Sequence, residues 1–176
     1  MERGEAIVLI GFMGTGKSSI GRHLARRTSL PRYDTDEMVS ARYGLRIAEI
    51  FVQFGESDFR GAETDALSQI PEQPVIVVTG GGIVLRSENV AILHRLGRIV
   101  NLAADEETLF ARVSRRAARP LLQTANPRET LSAMLKQREP LYRAAADFTI
   151  DTSVLRHDEV ADIILRQLQP LRLHFE

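Results

Sequence analysis

The residues with the most legible chemistry lie near the N-terminus. Gly11-Phe12-Met13-Gly14-Thr15-Gly16-Lys17-Ser18 fits the pattern G-x-x-x-x-G-K-[ST] and follows a short apolar run, Ala6–Ile10. Glycines let the backbone curl until its N–H groups converge on phosphate oxygens, and a helix starting there adds the positive end of its dipole. A lysine placed like Lys17 reaches the β- and γ-phosphates, and a hydroxyl placed like that of Ser18 ligates Mg²⁺. The implied chemistry is binding of a nucleoside triphosphate. The motif is silent about what receives the phosphate.

Five further groups bear on that question. Asp34-Thr35-Asp36 follows a second short run, Arg32–Asp34. In a strand the two carboxylates share a face. One would hold Mg²⁺ through water and the other would accept a proton from an attacking hydroxyl. The same residues would serve equally as a turn and helix N-cap. Arg60 precedes Glu63 by one helical turn, so the carboxylate would fix the guanidinium fork, although a solvated surface ion pair has the same spacing. Gly80, Gly81 and Gly82 follow Val75–Thr79 and would expose bare backbone N–H groups to an anion or a hydroxylated ligand. Because that strand ends in Thr79 and Gly80, the Asp that usually ends such a strand in phosphate-loop proteins is missing. In Arg112-Val-Ser-Arg115-Arg116-Ala-Ala-Arg119-Pro120, proline is expected to end a helix and leave Arg119 on a loop able to neutralise phosphate charge. Arg115 and Arg116 read as a basic, solvated helix end. Arg138 lies on a helix expected to end near Pro140 and would face the same cleft.

These groups need elements to hold them. Ala6–Ile10, Arg32–Asp34, Val75–Thr79, Arg98–Leu102 and Phe148–Ile150 read as strands. Lys17–Thr28, Glu37–Phe51, Asp58–Ile70, Ser87–Leu96, Glu106–Arg116, Arg128–Tyr142 and Asp158–Leu168 read as helices. Strands alternating with helices predict an α/β protein with a parallel sheet covered on both faces. Ligands of such sheets bind beyond the carboxyl ends of the strands, where the informative residues fall.

Composition narrows the function classes. The chain has 176 residues, as expected for one domain, and no Cys, which excludes disulfides and thiolate chemistry. Lys+Arg and Asp+Glu both number 23, so no global field favours nucleic acid or an anionic membrane. Lys17 and Lys136 are the only lysines; arginine supplies the rest of the positive charge. The charge is uneven, with Ala111–Arg143 carrying eight basic residues against Glu129 and Glu139. No apolar run approaches the ~20 residues of a membrane helix. The first residues lack a signal-peptide h-region, so a cytoplasmic location is expected.

Taken together, the motifs resemble the shikimate kinase family from about Ile7 to Asp151. The resemblance rests on GFMGTGKSSIGRHLA, YDTD, IAEIFxxFGExxFR, VIVVTGGGIV, RPLL and REPLYRxxAD, in the family's order. It implies a P-loop NTPase fold of the nucleoside-monophosphate-kinase type, with a five-stranded parallel sheet of order 2-3-1-4-5. It implies one kinase domain over residues 1–176, with a substrate-binding segment near 34–62 and a lid near 112–126. It also implies ATP-dependent phosphorylation of the 3-hydroxyl of shikimate on the way to chorismate and the aromatic amino acids. Carried over by position, Gly14, Thr15, Gly16, Lys17, Ser18 and Ser19 would hold ATP, with Arg112 against the adenine and Arg119 as the lid arginine. Ser18 would ligate Mg²⁺, supported through water by Asp34. Asp36 would contact the shikimate hydroxyls as general base. Arg60 and Arg138 would clamp the carboxylate, Glu63 would orient Arg60, and Gly80, Gly81 and Gly82 would close on the ring. The resemblance further implies a monomer without nucleic-acid or membrane partners.

Rival readings make other demands. A sibling kinase acting on a hydroxylated carboxylate such as gluconate fits the loop but not the RPLL and REPLY segments. A GTP-dependent switch requires Asn-Lys-x-Asp, and neither lysine follows an asparagine. A nucleic-acid-stimulated ATPase sits badly with zero net charge.

Overall fold

In the computed structural model, which describes residues 4–115 and 122–168, strands and helices alternate along most of the chain. The order is β1 (Ala6–Gly11), α1 (Lys17–Thr28), β2 (Arg32–Asp34), α2 (Thr35–Tyr43), α3 (Ile47–Ser68), β3 (Ile76–Val78), a 3₁₀ turn (Ile83–Leu85), α4 (Ser87–Leu96), β4 (Gly97–Ala103), α5 (Glu106–Ser114), α6 (Pro127–Ala145), β5 (Phe148–Asp151) and α7 (His157–Leu168). The strands form one five-stranded sheet of order β2-β3-β1-β4-β5, and every pairing is parallel.

All six residues of β1 are buried, which explains the unbroken apolar run. Alternation sorts them onto two faces. Ala6, Val8 and Ile10 join Val77, Ile99, Leu93, Leu131 and Tyr142 in one core. Ile7 and Leu9 join Ile76, Val100, Ile20, Leu24, Val160 and Ile164 in the other. Val39, Ile50, Phe59 and Ala62 form a third cluster between α2 and α3. The last cluster matters most for function, because it fixes the segment that carries Arg60.

Three expectations are corrected. The helix expected over Glu37–Phe51 is broken. Gly44 adopts φ 64° and caps α2, and α3 starts afresh at Ile47. A left-handed C-cap stops a helix whatever the apolar periodicity beyond it. The helix expected at Asp58–Ile70 instead joins Ile47 through a kink at Gly55, at φ 82° and ψ 173°. Finally, Pro140 does not end α6, which runs on to Ala145. Burial of Tyr142 and Ala145 against the sheet holds the last turn despite the missing N–H donor. Arg116, Arg119 and Pro120 lie outside the described residues, as does the centre of the segment expected as a lid. α5 ends at Ser114, before that proline.

Candidate active site

The G-x-x-x-x-G-K-S loop sits between β1 and α1, as its spacing requires. Gly11, Gly14 and Gly16 take φ of 137°, 89° and 93°, values that side-chain-bearing residues rarely adopt. Lys17 Nζ folds back to donate to Gly11 O at 2.7 Å and Phe12 O at 2.9 Å, so its charge stands over the loop. Thr15 Oγ1 donates to Phe12 O at 2.9 Å and braces the curl from within. A cleft of about 400 Å³ opens here, lined by Gly14, Gly16, Lys17, Ser18, Ser19, Asp36, Thr79, Gly81 and Arg112. That volume lies in the range of small-ligand sites.

The two readings of Asp34 and Asp36 divide between the residues. Asp34 ends β2 and is the N-cap of α2, accepting from Asp36 N at 3.1 Å and Glu37 N at 3.4 Å. It is also paired with Arg32 at 3.1 Å. Burial and the Glu37 charge hold its carboxyl above the usual range, against the pull of these partners. Asp36 is in the first turn of α2, so the shared strand face expected for the pair does not exist. Among the described residues, Asp36 is the carboxylate lining the cleft; Asp34 is not one of the lining residues. No group of three or more His, Cys, Asp or Glu placed to hold a metal ion occurs among the described residues. A hydroxyl at Ser18 with a carboxylate at Asp36 still suits Mg²⁺, which keeps waters and takes ligands from phosphate.

A second pocket adjoins the first. Met13, Asp36 and Gly81 line both, and Ile47, Phe51, Phe59, Arg60, Glu63, Gly80, Gly82 and Arg138 complete the second. Arg60 and Glu63 are no surface pair: Arg60 is 8% exposed and Glu63 is 0% exposed. Arg60 Nη1 donates to Glu63 Oε2 at 2.5 Å. Burial drives the Glu63 carboxyl up to about 7, with Arg60 opposing and Asp36 adding. Burial lowers the Arg60 affinity for its proton, but Glu63 and Glu56 outweigh it and raise it overall.

The glycines are steric necessities. A β-carbon at Gly80 would collide with Glu63 Oε1 and stand 2.7 Å from Asp36 Oδ1; one at Gly82 would collide with the Arg60 guanidinium. Gly80 N donates to Thr35 Oγ1 at 3.0 Å, which ties the glycine loop to the turn carrying Asp36. From α6, Tyr142 Oη donates to Gly81 O and Arg138 Nη1 reaches the same oxygen at 3.5 Å. Burial pushes the Tyr142 hydroxyl up to about 12, so it stays a donor at any working pH. Arg138 Nε is buried and has no hydrogen-bond partner among the described residues.

Several contributors escaped the sequence. Met13, Arg22, Thr79, Arg115 and His157 line the nucleotide cleft. Arg115 is therefore not simply the solvated helix end expected of it. Arg112 donates to Gly14 O at 3.3 Å and Thr152 O at 2.7 Å, joining the loop to the segment after β5. The apolar wall of Ile47, Phe51 and Phe59 arises from the break at Gly44 and the kink at Gly55.

Chemically, one end is a cationic cradle for phosphates. The other holds two buried arginines, a carboxylate and an apolar wall, which suits a small hydroxylated anion. A profile of the shikimate kinase family matches residues 13–169. The shikimate kinase of Thermodesulfovibrio yellowstonii is 44% identical over 166 residues, covering 94% of this chain and 95% of that protein. The structure of shikimate kinase from Acinetobacter baumannii in complex with shikimate superposes with a TM-score of 0.90 at 36% identity, covering 96% of this chain and 95% of that one. A gluconokinase from Sinorhizobium meliloti reaches a TM-score of 0.60 at 19% identity, which speaks for the fold alone. The chain belongs to the shikimate kinase family and is an ATP-dependent small-molecule kinase.

Proposed function

We propose the following division of labour for the family's reaction, in which this chain transfers the γ-phosphoryl of ATP to the 3-hydroxyl of shikimate. The observation that carries it is the shared wall: Met13, Asp36 and Gly81 border both the phosphate cleft and the pocket of buried arginines. A hydroxyl held beside Asp36 is thereby in reach of a γ-phosphoryl held beside Lys17. Arg60 and Arg138 bind the acceptor carboxylate, each a charge-assisted donor. The orphaned Nε of Arg138 supports this role, since a buried donor without a partner is costly unless a ligand satisfies it. Glu63 orients Arg60.

In the transfer, the acceptor oxygen bonds to the γ-phosphorus as the bond to the β-γ bridging oxygen breaks. The hydroxyl proton passes to the Asp36 carboxylate. Ser18 and phosphate oxygens would hold Mg²⁺, with Asp34, the cap of α2, reaching it only through water, and the ion would supply charge neutralisation. The backbone of Gly14, Thr15 and Gly16, with Lys17 and Ser19, holds the phosphates. Arg112 abuts the base, and Arg119 closes over the phosphates from a lid near 112–126. Residues 34–62 form the acceptor-binding part of one kinase domain. No helix among the described residues is long and apolar enough to cross a membrane. The reading is completed by a cytoplasmic monomer working on small molecules, as the family resemblance implies. The test is ADP release with Mg-ATP and shikimate, gluconate or no acceptor. Turnover with shikimate alone is expected. Turnover with gluconate instead, or with neither while ATP still binds, refutes the acceptor assignment.

A further inference from the structure

Arg60 is gripped on two sides, and only one grip belongs to the acceptor pocket. Glu63 takes Nη1 from inside the pocket. Glu56 Oε1 takes both Nε, at 3.2 Å, and Nη2, at 2.9 Å. The Glu56 side chain is 51% exposed and does not line the pocket. A guanidinium offers five N–H donors in a rigid plane. Glu56 and Glu63 use three of them. The two left over sit on Nη1 and Nη2, whose paired spacing matches a carboxylate. Arg60 also lies 5.2 Å from the centroid of the Phe59 ring, and Gly82 presses against the guanidinium. Rotation about its long side chain is therefore blocked from several sides.

The local backbone arranges this. Gly55 breaks α3 at φ 82°, and Glu56 is the first residue beyond the break. A β-carbon would meet nothing within 4 Å there, so the demand for glycine comes from the left-handed backbone and not from crowding. Glu56 then falls one turn ahead of Arg60, at the i,i+4 spacing that lets the side chains meet.

We propose that Glu56 is a positioning residue for the acceptor. From outside the pocket it locks the Nε/Nη2 edge of Arg60 and so presents the Nη1/Nη2 edge to the acceptor carboxylate. The proposal rests on the acceptor reading given above. It predicts that Glu56 acts only through Arg60.

The experiment compares wild type, Glu56→Ala, Glu56→Gln, Arg60→Ala and the Glu56→Ala/Arg60→Ala double variant. Shikimate affinity is measured by calorimetry without nucleotide, KM and kcat by ADP release, and folding by thermal melts. Glu56→Ala should raise the shikimate Kd and KM roughly tenfold, the scale of a charge-assisted hydrogen bond. The ATP KM and kcat should stay within about twofold, as should the melting profile's shape. Glu56→Gln keeps an accepting oxygen and should recover most of the affinity. In the Arg60→Ala background, Glu56→Ala should add nothing. Three results overturn the proposal while leaving the acceptor reading standing. These are an unchanged or lower shikimate KM in Glu56→Ala, an effect that persists without Arg60, and equal losses for ATP and shikimate. A wild-type chain that binds ATP but does not phosphorylate shikimate overturns the acceptor reading, and this proposal with it.

Discussion

Removing the acidic half of the buried Arg60–Glu63 pair should stabilise the free protein above neutral pH. The side chain of Glu63 is fully buried, and its carboxyl is raised from 4.5 to about 7 chiefly by that burial. An acid raised in the folded state binds more protons folded than unfolded between those two values, so stability falls as pH climbs through this window. Below pH 4.5 both states are protonated and the group contributes nothing. Above pH 7 the folded chain carries an ionised carboxylate whose burial Arg60 only partly offsets, at a cost of about 3 kcal/mol. Glutamine is nearly isosteric with the protonated acid. Glu63→Gln should therefore match wild type near pH 4.5 and exceed it by about 3 kcal/mol at pH 8. For a chain of this length that corresponds to roughly 6–12 °C in Tm. Urea unfolding followed by far-UV circular dichroism at pH 5, 6, 7 and 8 gives the difference directly. A difference that is constant across the series, or a wild type more stable at pH 8, refutes the reasoning. The same substitution should weaken shikimate binding, which explains why a destabilising carboxylate stands at this position.

Other substitutions separate the two halves of the site. Asp36→Asn should lower kcat by about 10²–10⁴-fold, the scale of general-base catalysis, with ATP affinity intact; a near-normal kcat would remove Asp36 from the proton transfer. Gly82→Ala drives a methyl group into the Arg60 guanidinium, so the shikimate KM should rise roughly 10- to 100-fold while nucleotide binding, measured by calorimetry, holds. Tyr142→Phe removes the hydrogen bond to Gly81 O, and a loss of about 1 kcal/mol in urea unfolding is expected, with kcat/KM for shikimate falling more than the ATP KM changes.

What could be read from the sequence was what local chemistry dictates. The phosphate loop was legible because three glycines need left-handed backbone within a few residues. The glycines after β3 were legible because three in a row at a strand end serve nothing else so well. Arg60 and Glu63 were legible as a pair but not as a buried one. Only the packing of α2 on α3 decides that, and it is a tertiary fact. Asp34 and Asp36 left two readings open because capping and catalysis want the same residue types. The structure gives the cap to Asp34 and the cleft to Asp36. Arg138 was legible as facing the cleft, although Pro140 suggested a helix end where buried Tyr142 keeps the helix going. Arg115 and His157 could not be placed, and Arg112 could be placed only through the family resemblance, because they converge on the loop from segments about a hundred or more residues away in sequence.

The sheet order explains why these pieces meet. β1 and β3 are neighbours, but the chain leaves β1 toward β2 on one side and leaves β3 toward β4 on the other. Their following loops diverge and open a crevice at the carboxyl ends, the usual place for a ligand in such sheets. The loop after β1 carries the phosphate cradle, and the loop after β3 carries Gly80–Gly82. Thr35, the first residue of α2 just beyond β2, ties its hydroxyl to Gly80 and so brings the next residue, Asp36, to the rim of the same crevice. One wall thus faces two ligands. A substitution that moved the glycine loop by the width of a methyl group would shift the acceptor pocket against the phosphate cleft, and transfer depends on that relative placement more than on either pocket alone. Activity should accordingly be more sensitive than nucleotide affinity to changes at Thr35, Gly80 and Tyr142, none of which needs to touch the phosphates.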